Sequence, residues 1–206
     1  MENFVDFIFS SFFLDFVFSS LILLALVSVY DFATTNIKFP NDTIEVFASG
    51  IAIGLITVAI LSNPINLHKG IFVDARWVLL SCCAIFLNWR IVIIGGIIGA
   101  SYRYYQGGAG GVPGVYTVII SILIGFLWRY MLVKFKVAFK WYLQYVFGIS
   151  VELAILALLY FVLPAGKGPI VVGNIAMPLL TLFPIVSVIL SLLFQQHRKE
   201  GLSFSN

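Results

Sequence analysis

Residues 76–106 read RWVLLSCCAIFLNWRIVIIGGIIGASYRYYQ, two short apolar runs separated by the polar break Asn88-Trp89-Arg90. A spanning helix needs about 20 apolar residues, so each run is short for a complete crossing of the hydrocarbon layer. The stretch is either one continuous span or two short helices that form a hairpin. A continuous helix would place Arg76 and Arg103 about 40 Å apart, whereas a hairpin brings them to the same end.

The rest of the chain is similarly apolar. Of its 206 residues, 61% are hydrophobic and 10% are charged, with a mean hydropathy of +1.07, whereas soluble domains carry about 25% charged residues. The sequence therefore predicts an all-α, polytopic transmembrane bundle that leaves no room for a second, soluble domain. The formal charge of +3 is spread over the ends of apolar runs, which argues against nucleic-acid binding. Cys82 and Cys83 are adjacent and fit neither a disulfide framework nor a metal site.

Seven apolar segments are predicted to be helices. They are residues 7–30, 44–61, 77–87, 91–105, 115–130, 141–163 and 170–194. The most basic connection follows the fifth segment, and the positive-inside rule places it in the cytoplasm. Its basic residues are Arg129, Lys134, Lys136 and Lys140. With a hairpin, residues 62–76, the glycine-rich stretch 107–114 and the acidic N-terminus are then outside. We favour this arrangement over six spans with the N-terminus inside.

The hairpin would place Arg76 and Arg103 at the external ends of neighbouring antiparallel helices. Two guanidiniums there can bind a small carboxylate or phosphate, because each donates a planar, bidentate pair of hydrogen bonds. The spacing leaves a second interpretation open, in which both arginines extend to lipid headgroups or pair with Asp74.

Glycines lie on both sides of Arg103. Gly95 and Gly99 precede it at intervals of four residues, so the three positions share one helix face that a neighbouring helix can approach closely. The glycines that follow are Gly107, Gly108, Gly110, Gly111 and Gly114. Backbone N–H groups can approach a ligand there, and Thr117 lies in the first turn of the next helix, where free N–H groups favour anions. A nucleotide-binding loop is not supported, since the GxxxxGK[ST] pattern is absent.

Two acidic residues, Asp15 and Glu152, lie inside apolar segments, where ionisable groups are costly and often functional. Glu152 is a further candidate that can pair with a site arginine or line a cavity, whereas Asp15 is interpreted as structural. His68 and His197 fall at opposite predicted faces and do not indicate a shared metal site. We identify no catalytic set at one depth, so this chain is not expected to be an enzyme.

The sequence from Phe72-Val-Asp74-Ala-Arg76 to Tyr102-Arg103-Tyr-Tyr-Gln-Gly107-Gly108-Ala-Gly110, followed by Gly114, resembles the LytS/YhcK-type multi-span receptor family. In that family a D-x-R precedes one short helix, and an arginine and a Gly-Gly-x-Gly loop follow the next. The resemblance implies a sensor domain at residues 44–194. An N-terminal helix and its connection would occupy residues 1–43, and a cytoplasmic exit residues 195–206.

Members of this family are input modules of sensor histidine kinases and diguanylate cyclases, and some sense extracellular pyruvate. The resemblance implies that Arg76 and Arg103 bind a small, pyruvate-like carboxylate, together with Asp74, the glycine loop and Thr117. It implies no cofactor. Two departures stand out. A cysteine of the pyruvate-sensing relatives is Gly114 here, and Asn88-Trp89-Arg90 replaces the usual Gly-Pro at the hairpin tip.

A weaker likeness, of pattern and helix count only, exists to the substrate-binding subunits of energy-coupling-factor vitamin transporters, which makes transport the rival function. A membrane scaffold without a saturable ligand is a third reading. The chain stops at Ser203-Phe-Ser-Asn206 without a kinase or GGDEF signature. We therefore expect a piece of a longer inner-membrane protein that has its C-terminus in the cytoplasm and is dimeric through an output domain.

Overall fold

The computed structural model describes residues 11–37, 39–63, 65–68, 71–108, 110–163 and 166–203. These residues form seven helices and one two-stranded hairpin. The elements are α1 (Ser11–Asn36), α2 (Asp42–Ser62), β1 (Ile65–His68), β2 (Ile71–Val73), α3 (Arg76–Phe86), α4 (Trp89–Gln106), α5 (Gly111–Lys134), α6 (Trp141–Val162) and α7 (Gly168–Ser203). The predicted all-α bundle and its seven segments are confirmed, although the predicted start of the first helix at residue 7 lies outside the described residues.

Five helices, α1, α2, α5, α6 and α7, are long and apolar enough to cross a membrane. Their surfaces expose large apolar side chains, among them Phe18, Leu55 and Leu123. Helix α3 is different, because its 11 residues reach only about 16 Å, roughly half the thickness of the hydrocarbon layer. The chain is thus a multi-pass membrane protein whose third helix does not cross the bilayer on its own.

Helices α3 and α4 form a hairpin, so the interpretation as one continuous span is wrong. Leu87 ends α3 in an extended conformation, and the Asn88 side chain caps α4 by accepting a hydrogen bond from the Arg90 N–H at 3.1 Å. Asparagine is a favoured N-cap because its side-chain oxygen satisfies a free N–H group of the first turn. Arg129 of α5 donates to the Leu87 carbonyl at 2.6 Å, which satisfies an acceptor that the end of α3 leaves without a helical partner.

The predicted glycine face of α4 packs against α2. A Cβ atom at Gly99 would lie 2.5 Å from Cγ2 of Thr57, and one at Gly95 would lie 2.8 Å from Cγ2 of Ile53. Neither position therefore has room for a larger side chain. This close approach fixes the height and rotation of α4, and with them the position of Arg103 one turn further on.

Helix α3 lies at the centre of the bundle, and all its residues from Arg76 to Ile85 are buried. It packs against α5 and α7. Helices α6 and α7 are paired, with Gly148 placed so that a Cβ atom there would lie 2.7 Å from Cα of Pro184. Helix α7 contains Pro178 as well as Pro184, and each proline removes one N–H group from the helical hydrogen bonds.

The connection from α2 to α3 is an antiparallel β-hairpin that the sequence analysis did not predict. Ile65 pairs with Val73, and Asn66 pairs with Phe72. Ile65 and Val73 are buried, so the end of the hairpin is anchored in the bundle. The second strand leads directly into Asp74, the first residue of the candidate site.

Candidate functional site

Four of the predicted site residues, Asp74, Arg76, Arg103 and Thr117, have buried side chains at one end of the bundle. They come from three places: the end of the β-hairpin with the start of α3, the last turn of α4, and the first turns of α5. Both arginines are at most 1% exposed, which is incompatible with side chains that extend to lipid headgroups. The hairpin therefore brings Arg76 and Arg103 to the same end of the bundle, as predicted.

Asp74 holds Arg76 in place. The Arg76 guanidinium donates from Nη1 to Oδ2 of Asp74 at 2.9 Å, and the Arg76 backbone N–H donates to Oδ1 at 3.0 Å. One carboxylate therefore serves both the first turn of α3 and the guanidinium charge. This pairing with Asp74 is the one that the second interpretation of the sequence gave for Arg76, and it turns the guanidinium toward the interior of the bundle.

Thr117 connects the same guanidinium to α5. Nη2 of Arg76 donates to Oγ1 of Thr117 at 3.2 Å, and the Thr117 hydroxyl donates to the Gly114 carbonyl at 2.7 Å. Nε of Arg76 has no hydrogen-bond acceptor among the described residues. A planar donor group is thus fixed on two sides and has one N–H group still to be satisfied.

Both arginines pack against Gly114. A Cβ atom at this position would lie 2.7 Å from Nε of Arg103, 2.8 Å from its Cγ and 3.1 Å from Nη2 of Arg76. The space that a side chain would fill is therefore occupied by the two guanidinium groups. This gives a physical reason for the glycine at the position where pyruvate-sensing relatives have a cysteine.

Arg103 is oriented by residues that follow it. Its Nη1 lies 3.3 Å from the Gly107 carbonyl and 3.4 Å from Oε1 of Gln106. Gln106 in turn donates to the Leu61 carbonyl at the end of α2, at 2.9 Å. Gln106 is a contact that the sequence did not predict, although its position one helical turn after Arg103 was a usable signal.

The glycine loop makes a sharp turn beside the site. Gly107 and Gly108 have φ values of 65° and 79°, a backbone conformation that glycine adopts without a steric penalty. Of these two, Gly107 contributes its carbonyl to the arginine contacts, whereas Gly108 is exposed. Gly110 is buried at the start of α5 and accepts a hydrogen bond from the Gly114 N–H at 2.9 Å.

Glu152 is fully buried on α6, and among the described residues its hydrogen-bond donor is a tryptophan and not an arginine. Both of its carboxyl oxygens lie 3.1 Å from Nε1 of Trp77, the residue that follows Arg76. The Trp77 ring is also 5.9 Å from Cζ of Arg76. Glu152 therefore borders the site through Trp77.

Asp15, the other acidic residue inside an apolar segment, is exposed on α1. The side chains of His68 and His197 lie outside the described part of the structure.

Two buried guanidiniums and the buried carboxylate of Asp74 lie together at this end of the bundle, beside the N-terminus of α5. Guanidinium groups beside a helix N-terminus can bind an anion. A multi-pass membrane bundle with buried ionisable groups at one end fits the class of membrane receptor domains.

The comparison with protein families identifies the particular receptor type. Residues 18–197 match the family model described as 5TMR of 5TMR-LYT, so the chain belongs to this family of LytS-type receptor domains. The five long apolar helices agree with that description. The resemblance drawn from the Asp74–Arg76 and Arg103 motifs is therefore confirmed at the level of the family, which is a sensory and non-catalytic domain. No curated protein and no solved structure matches the chain.

Proposed function

We propose that this chain is the input module of a longer sensor and that it binds a small extracellular monocarboxylate of the pyruvate type. Occupancy of the site would pass through α7 to a cytoplasmic histidine kinase or diguanylate cyclase, which would also hold two copies together. One observation carries the ligand proposal: Arg76 and Arg103, from different helices, are both buried and both pack against Gly114.

Donor geometry supports a carboxylate. Nε of Arg76 is a buried donor without an acceptor among the described residues, and a guanidinium presents its N–H groups in a planar fork that matches a carboxylate. The first turn of α5 adds backbone N–H groups beside Thr117. A planar carboxylate is the group that this fork of donors matches best.

The distribution of charge supports a site that faces outward. Lys134 ends α5, and Lys136 and Lys140 follow in the connection to α6. All three are exposed, at the opposite end of α5 from Thr117. By the positive-inside rule this connection is cytoplasmic, which places the arginines at the external end. An external site in a receptor family favours sensing over transport.

Thermal unfolding of the purified protein tests the proposal directly. Pyruvate and other short monocarboxylates should raise the unfolding temperature in a saturable way. At a ligand concentration of a hundred times Kd, the free energy of unfolding should increase by about 2.7 kcal/mol. Pyruvamide is the control, because it keeps the shape of pyruvate and lacks the charge. No response to any short monocarboxylate, or an equal response to the amide, would overturn the proposal.

A further inference from the structure

Trp77 contacts the site on one side and the last two helices on the other. It follows Arg76 in the chain, and its ring is 5.9 Å from the Arg76 guanidinium carbon. Its indole N–H donates to Glu152 of α6, and its ring lies 6.0 Å from that of Phe183 on α7 in an edge-to-face arrangement. One buried side chain therefore touches the site, α6 and α7.

Glu152 depends on this contact. It is 0% exposed, and Trp77 is its only hydrogen-bond donor among the residues that the structure describes. A buried carboxyl group that loses its donor keeps the full desolvation penalty, so separation of the two side chains is strongly unfavourable. A displacement of Trp77 must therefore be followed by α6.

Phe183 lies where α7 is least constrained by its own hydrogen bonds. Pro184 follows it directly and Pro178 precedes it by five residues, and each proline removes an N–H group and weakens the helix locally. Pro184 also packs against Gly148 of α6, one turn before Glu152. A small push on Phe183 can thus change the bend of α7 while α6 moves with it.

We propose that Trp77 is the positioning residue that transmits occupancy of the arginine site to α7, and that Glu152 couples α6 to the same movement. The inference rests on the proposed function and adds the contacts by which ligand binding at the arginines reaches α7. Ligand binding at Arg76 draws the guanidinium toward the anion, the indole follows, and Phe183 changes the bend of α7 at Pro184. The cytoplasmic end of α7 then moves relative to α5.

The experiment measures the distance between spin labels on α7 and α5 by pulsed electron resonance. Cysteines at Leu192 and Val133 carry the labels, because both positions are exposed, and the native Cys82 and Cys83 are fully buried. The probe is pyruvate, and its affinity is measured on the same samples. In the parent protein, saturating pyruvate should move the α7 label by at least about 1 Å, the scale of helix shifts in switching proteins.

The variants separate transmission from stability. W77F keeps an aromatic ring but lacks the N–H group, and E152L removes the acceptor; both should bind pyruvate and lose the shift. E152Q keeps a hydrogen-bond acceptor for Trp77, so it should show the same pyruvate-induced shift as the parent protein. The matched control is W128F, because Trp128 donates to Ser150 of α6 at 3.0 Å, a similar hydrogen bond away from the site. W128F should respond like the parent protein.

Two results would overturn the inference. One is a W77F protein that binds pyruvate and shifts as the parent does. The other concerns the distance between the two spin labels without pyruvate. W77F should change this distance relative to the parent protein, whereas W128F should not. An equal distance in W77F and W128F would contradict the proposed contact route. Absence of pyruvate binding in the parent protein would instead count against the proposed function, and the ligand-free comparison would still decide the route.

Discussion

Arg76 and Arg103 are completely buried, whereas Arg90, Lys134 and Lys140 of the same chain are exposed. Burying a guanidinium removes it from water, which is costly inside a membrane protein. The residue-level feature that points to a ligand is therefore a pair of buried arginines, from two helices, that both pack against Gly114.

Gly114 gives the first prediction. In G114A the new Cβ atom would collide with the middle of the buried Arg103 side chain at 2.7 Å, and the arginines would have to separate. Overpacking of this kind costs about 1–3 kcal/mol, so pyruvate should bind about 5- to 150-fold more weakly in calorimetric titration.

The control for this prediction is G111A, since a Cβ atom at Gly111 meets no described atom within 4 Å. Both substitutions lie in the first turn of α5 and change helix propensity similarly. Equal affinities for G114A and G111A would show that the guanidiniums do not depend on the space at Gly114.

At this scale the sequence predicted part of the site. Arg76, Arg103 and Thr117 were selected because a D-x-R, an arginine and a glycine loop recur at defined spacings. The contact between Trp77 and Glu152 could not be predicted, since the two residues are 75 positions apart and their proximity depends on how α3 packs against α6. Such long-range contacts are decided by packing and leave no local pattern.

At the scale of the element, the short hairpin of α3 and α4 decides the geometry of the site. Its polar tip ends one helix at Leu87 and begins the next at Trp89, so the chain reverses inside the bundle. Because both arginines are at the open end of the hairpin, their relative position depends on how α4 is held against its neighbours. Helix α2 holds it through the glycine face.

Gly99 therefore carries the second prediction. In G99A the added methyl group would meet the buried, β-branched Thr57 at 2.5 Å and push α4 away from α2. The unfolding temperature should fall, by an amount that corresponds to about 1–3 kcal/mol, and pyruvate affinity should fall with it because Arg103 moves.

G96A is the matched control on the side of α4 that packs against α5. Its methyl group would meet the tip of Ile122 at 2.6 Å, a flexible, half-buried side chain that can turn away. We expect G96A to unfold at a clearly higher temperature than G99A. The reverse order would contradict the role assigned to the contact between α2 and α4.

The sequence predicted the helices better than their connections. Apolar runs and polar breaks located all seven helices, because the bilayer demands long apolar segments. The β-hairpin was missed, since strands of four and three residues are too short for a reliable alternating pattern. Helix α7 continues to Ser203, beyond the predicted end at residue 194, because polar residues end an apolar run without ending a helix.

At the scale of the whole molecule, the two ends of the bundle differ in their charged residues. One end buries the arginines, and the other carries the exposed lysines after α5. This asymmetry is what a receptor would have if it bound its ligand on one side of a membrane and passed the signal to the other side. The orientation itself is a prediction from the positive-inside rule.

Labelling of single cysteines in intact cells is the third prediction. A cysteine at Tyr105, which is 86% exposed at the end of α4, should react with a membrane-impermeant maleimide. One at Lys140, exposed in the basic connection, should react only after the cells are opened. The parent protein should stay unlabelled, since Cys82 and Cys83 are buried. The opposite pattern would place the arginine site in the cytoplasm.

The fourth prediction concerns the two arginines acting on one anion, and calorimetric titration of pyruvate tests it. R76A and R103A should each weaken binding about 10- to 150-fold, because a charge-assisted hydrogen bond contributes about 1.5–3 kcal/mol. R76K and R103K should lose nearly as much, since lysine keeps the charge and lacks the planar fork. R90A is the control, because Arg90 is exposed at the other end of α4.

Each variant must first elute as a monodisperse species with the unfolding temperature recorded, so that loss of binding is separated from loss of the fold. The account predicts tight, saturable binding in the parent protein and in R90A, and a parallel loss in all four variants at Arg76 and Arg103. Unchanged affinity in well-folded R76A and R103A would contradict it.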